Sequence, residues 1–88
     1  MDINVGSIVR VAAGHEKYDG CFIVVSVEGE YVEICNGKRR KIEKPKRKKL
    51  KHIGEVLGES PVVKSNGKSV TNRILRKELF PYNIEREC

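Results

Sequence analysis

Ten lysines and arginines crowd the fourteen positions from Lys38 to Lys51, against a single acid, Glu43. They are Lys38, Arg39, Arg40, Lys41, Lys44, Lys46, Arg47, Lys48, Lys49 and Lys51. The other seventy-four residues hold eight bases and eleven acids, so the segment stands near +9 and the remainder near −3. The chemistry open to such a segment is electrostatic. Each phosphate neutralised by a cation releases condensed counterions, which draws a polyanion to it. Arginine adds a planar fork that grips phosphate or stacks on a base, and this singles out Arg39, Arg40 and Arg47 as specific contacts. Lysine-rich surfaces also serve solubility and keep edge strands from pairing with other sheets. The density here, beside an acidic remainder, favours a nucleic-acid partner over that plainer reading.

A second candidate is the loop from Gly14 to Gly20. Gly14, His15 and Lys17 offer donors to a phosphate backbone, and Tyr18 a stacking surface. Glu16 and Asp19 weaken the field there, so the later tract supplies most of the affinity. The same glycines would equally serve a plain connection between strands. The sequence has no GxxxxGK[ST] and no GxGxxG after a strand, which excludes the common nucleotide-binding loops.

Other chemistry finds little support. His15 and His52 read as surface histidines, since a catalytic site needs a base, a nucleophile and a cleft together. Cys21, Cys35 and Cys88 lack CxxC spacing, so no metal site and no cofactor is expected. Their odd number, with no secretion-type leader ahead of them, leads to free thiols in a reducing cytoplasm as the expectation. Cys21 and Cys35, among β-branched and aromatic neighbours, read as core thiols. No apolar run approaches the roughly eighteen residues that span a bilayer. The expectation is a non-enzymatic protein with no catalytic residue.

The elements that must hold these residues are short strands. Ser7 to Ala13 alternates, with Val9, Val11 and Ala13 on the expected core side. Cys21 to Val27 is β-rich, Glu28-Gly29-Glu30 reads as a tight turn, and Tyr31 to Cys35 follows. Asn36-Gly37 signals a two-residue hairpin leading into a fourth strand from Lys38 to Ile42 or Glu43. Pro45 is expected to close that strand. Leu50 and Ile53 are expected to pin a last strand or short turn. Val9, Val11, Ile23, Val25, Val32, Ile34 and Ile42 form the predicted core. So short a sheet hides its apolar face only by curling into a barrel or packing on another element. Residues 54–68, with Gly54, Gly58, Pro61 and Gly67, read as a linker. From Ser69 or Thr71 to Leu79 the pattern is helical, with Thr71 as N-cap, Ile74, Leu75 and Leu79 apolar, and Pro81 as the stop.

Residues Gly6 to Lys17 resemble the start of a KOW motif. Gly37 to His52 looks like the second half of the small bacterial KOW-domain proteins related to the eukaryotic ribosomal protein L14e. Together the likeness spans roughly residues 3–53, and residues 70–79 resemble a short basic helix that some of these proteins carry. Where KOW motifs usually have glycine after the lysine, this chain has Tyr18. The resemblance implies an all-β, SH3-like barrel over residues 1–53, with the 54–68 linker and a short helix within 69–88 as a C-terminal extension. It implies structured RNA, ribosomal above all, as ligand, in ribosome assembly or translation. It places the contacts on Gly14, His15 and Lys17 and along the tract from Lys38. A ribosomal protein is a second partner the resemblance brings in. Two alternatives remain open at this point. One is an SH3-like module that docks an acidic protein through its helix and open edge; the other is a DNA-binding architectural protein. The oligomeric state is also open.

Overall fold

A computed structural model describes residues 2–14 and 19–87, with side chains through residue 83. Five strands and two α-helices follow one another along the chain: β1 (Ser7–Val11), β2 (Cys21–Glu28), β3 (Tyr31–Cys35), β4 (Lys46–Lys49), β5 (Ile53–Glu59), α1 (Pro61–Asn66) and α2 (Asn72–Glu87). The strands form one antiparallel sheet in the order β4-β3-β2-β1-β5. The β2–β3 hairpin turns through Gly29 and Glu30, where Glu28 pairs with Tyr31 and Gly29 takes φ 62°.

β4 and β5 lie at opposite edges of the sheet, yet only a 3-10 turn, Leu50–His52, separates them in sequence. Four peptide links reach at most about 14 Å, while the edges of a flat five-stranded sheet stand about 19 Å apart. The sheet therefore curls. No ladder joins β4 to β5, and the sheet stays open.

Both faces are buried. Inside the curl lie Val9, Val11, Phe22, Val24, Val32, Ile34 and Ile53, with Leu50 at the margin. Against the other face pack Val63 of α1, Val70, and Leu75 and Leu79 of α2, over Ile8, Cys21, Ile23, Val25 and Cys35. The expected core residues are all found here, divided between the two layers, with Ile42 half-buried on the helix side. The all-β, SH3-like barrel is thus corrected to a mixed α/β fold: an open five-stranded sheet plus two C-terminal helices. A second apolar face, covered by helices rather than closed by hydrogen bonds, is the physical reason.

Three local expectations also change. Residues 38–42 are not a strand; β4 begins after Pro45 instead of ending before it. Asn36 turns the chain locally, its Oδ1 accepting from the N–H groups of Lys38 and Arg40 at 3.0 Å each. This side-chain bonding wins over a two-residue hairpin. The expected linker, residues 54–68, carries β5 and α1. Its glycines mark close approach: a Cβ on Gly54 would lie 2.9 Å from that of Ala12, and one on Gly58 would strike the Tyr82 hydroxyl. Pro61 sits in the first turn of α1, where its missing N–H costs nothing, behind the Ser60 N-cap. Thr71 caps α2 as expected, its Oγ1 accepting from Ile74 N–H at 3.2 Å. Pro81 does not stop that helix but lies within its sixteen residues. Leu75 and Leu79, fully buried, anchor the helix before Pro81, and Tyr82, packed half-buried on the same core, anchors it after.

Candidate nucleic-acid interface

The basic tract divides into two structural parts. Residues 38–44 form a loop, and residues 46–49 are the edge strand β4. The loop is latched to the first turns of α2. Asn72 Oδ1 accepts from Ile42 N–H at 2.7 Å, while its amide nitrogen donates to both Glu43 carboxylate oxygens at 2.9 and 3.2 Å. Arg76 Nη1 donates to the Gly37 carbonyl at 2.7 Å. Gly37, at φ 76°, passes so close to the Asn72 carbonyl that a Cβ there would overlap it. Glu43, the tract's only acid, is thereby turned toward Asn72. Lys38, Arg39, Lys41 and Lys44 project into solvent from this loop, and Arg40 is half-buried.

On β4 the side chains alternate. Lys46 and Lys48 stand opposite Ile34 and Val32, on the inward face, where their half-buried stems cover the rim of the inner core. Arg47 and Lys49 stand opposite Glu33 and Tyr31, on the helix side, and are exposed. Cations on one face thus repeat about every 7 Å, a spacing comparable to that of successive phosphates along a strand. Lys51 continues the series, exposed, in the 3-10 turn.

Two contacts bring the β1–β2 connection to this tract. Lys48 Nζ donates to the Ala13 carbonyl at 3.4 Å, and Arg39 reaches Asp19 at 3.7 Å. Gly14, exposed at φ 82°, therefore lies beside β4. His15 and Lys17, with Tyr18, lie outside the described residues. Ala13 and Asp19, far from the tract in sequence, thus touch it in the fold.

Among the described residues, Lys38, Lys41, Lys44, Lys46, Lys49 and Lys51 form no ion pair with a carboxylate. The Arg39–Asp19 pair is long, and Arg39 is 75% exposed, so solvent screens it. Arg47 stacks over the Tyr31 ring at 4.0 Å from its centroid, and Glu33 beside them is neutralised by Lys68.

Sequence reasoning missed Tyr31, Asn36, Asn72 and Arg76. Tyr31 looked like one face of an ordinary strand. The Asn-Gly pair was a true turn signal with the wrong geometry attached. Asn72 and Arg76 bond residues 29 to 39 positions away in sequence, and no local pattern marks them.

Cys21 and Cys35 are poor nucleophiles. Burial pushes the Cys35 thiol up to about 12, with the Glu33 and Glu43 charges adding to the rise against Lys68. Burial likewise raises Cys21, opposed by Arg10. Both are buried and free. Among the described residues no group of three metal-ligating side chains exists, and no helix is long and apolar enough to cross a membrane.

No protein-family model matches the chain, and no curated protein matches it either. The barrel implied by the KOW resemblance conflicts with the open sheet. The KOW, SH3-like, ribosomal and translation assignments drawn from that resemblance are therefore unsupported. What stands is a small mixed α/β domain with a cationic loop and edge strand.

Proposed function

We propose that this protein binds structured RNA, without catalysing a reaction on it, through the loop 38–44 and the edge strand β4. One observation carries the reading: Lys38, Lys41, Lys44, Lys49 and Lys51 are exposed on a folded frame and, among the described residues, form no ion pair with a carboxylate. Loop latching by Asn72 and Arg76 lowers the entropy lost when phosphates order these side chains. RNA with unpaired bases is favoured over duplex DNA because Tyr31 and Arg47 present a stacking surface beside the cations, and unpaired bases are what such a surface takes. A protein partner is less favoured: of the expected docking residues Ile74, Leu75, Leu79, Phe80 and Tyr82, Leu75 and Leu79 are buried in the protein's own core, Ile74 and Tyr82 pack half-buried against it, and Phe80 is exposed. The cytoplasm is the compartment that suits free Cys21 and Cys35.

The test is a salt titration of binding to a structured RNA and, in parallel, to duplex DNA. With about six phosphate contacts, raising salt from about 50 to 200 mM weakens binding by about a thousandfold. Neutralising Lys46 and Lys49 to Gln lowers the slope of log K against log salt by about one per side chain. Salt-independent binding, or unchanged binding in the double variant, refutes the reading.

A further inference from the structure

Beyond the cations, one face of the sheet carries a small cleft with different chemistry. Ser26 and Glu28 of β2, Tyr31, Val32 and Glu33 of β3, and Arg47 of β4 line a space of about 150 Å³. The register puts Ser26 opposite Glu33, Glu28 opposite Tyr31, and Arg47 opposite Glu33, so these polar groups share the helix-side face. The cleft falls well short of the ~300 Å³ at which drug-sized ligands begin to fit. It takes one planar ring. The Arg47 guanidinium on Tyr31 already forms a flat, cationic stack. Glu33 is engaged by Lys68, whereas Glu28, exposed, has no partner among the described residues.

We propose that this cleft is a nucleobase site that prefers guanine, stacked on the Tyr31–Arg47 pair with its Watson–Crick edge toward Glu28. The inference rests on the RNA-binding reading and deepens it. Stacking tolerates every base, because each has a π-face, and gives only modest preferences by itself. The carboxylate supplies the choice. A carboxylate only accepts hydrogen bonds, and guanine alone presents two adjacent donors, N1–H and the 2-amino group, on one edge. Cytosine and adenine each place a ring-nitrogen acceptor beside the amino group. Uracil flanks its single N–H with two carbonyl oxygens, which a carboxylate repels.

The experiment titrates the full-length protein with guanosine and uridine 5′-monophosphates, followed by backbone amide NMR. The two share phosphate and sugar, so any difference reports the base. Guanosine monophosphate is expected to shift the amides of residues 26–33 and 47 and to saturate at about fivefold lower concentration than the uridine nucleotide. In Glu28→Gln, an exposed change that leaves the fold intact, that difference disappears. Tyr31→Phe keeps the stack and keeps the difference. Equal titration by both nucleotides, or shifts confined to lysines of the tract, overturns the base site. Because free nucleotides are used, a failure of RNA to show steep salt dependence is read separately, and either conclusion can fall without the other.

Discussion

Gly58→Ala separates a packed strand from a linker by the sign of its effect. In a flexible linker this change stabilises, by about 0.4–1 kcal/mol, because alanine narrows the unfolded ensemble. In β5 the new methyl would strike the Tyr82 hydroxyl and stand 2.9–3.0 Å from two ring carbons. Tyr82 is half-buried on the helix-side core, so it must swing out and give up that packing. Overpacking of this kind costs about 1–3 kcal/mol, and the lower half is expected because a tyrosine near a helix end can rotate. For a domain of this size each kcal/mol moves the midpoint by about 4–8 °C. Urea denaturation of the wild type, Gly58→Ala, Tyr82→Leu and the double variant, followed by circular dichroism, measures the coupling. Trimming Tyr82 to Leu should recover much of the loss, a non-additivity of about 0.5 kcal/mol or more. If Gly58→Ala is as stable as the wild type, or if the two changes simply add, α2 does not lie against β5.

Three further outcomes follow from the same packing. Val11→Asp places an unpaired carboxylate in the inner core and should abolish the cooperative thermal transition. Asn72→Ala removes the acceptor for Ile42 N–H. It should cost about 1–2 kcal/mol by denaturant titration and weaken RNA binding while leaving the salt slope unchanged, because no cation is lost. The raised Cys35 thiol gives a pH dependence of definite sign. Below its ordinary value of 9.0 the thiol is protonated in both states. From there toward about 12 the unfolded chain ionises first, so stability falls as pH rises. Unfolding measured at pH 8 and pH 10 should show this fall, and Cys35→Ala should reduce it.

The apolar alternation of Val9 and Val11, the β-branched run after Cys21 and the cap at Thr71 were all readable, because they depend on neighbours one to four residues away. The exposed charge of the tract was readable for the same reason, since ten cations in fourteen residues cannot be buried. Where those cations stand was not. Asn36 read as the start of a hairpin, but its side chain bonds Lys38 and Arg40, which moves the strand past Pro45. Gly54 and Gly58 read as looseness, yet Ala12 and Tyr82 fill the space their side chains would need.

Composition and local order established that this chain has strands, a capped helix and an intensely basic segment. The tertiary structure decided that the sheet has two buried faces and stays open, and that Asn72 and Arg76 hold the loop. It also set Arg47 on Tyr31 beside Glu28. Those relations join residues up to about forty positions apart. They are settled by which surfaces exclude water together, and no window of neighbouring residues carries that information.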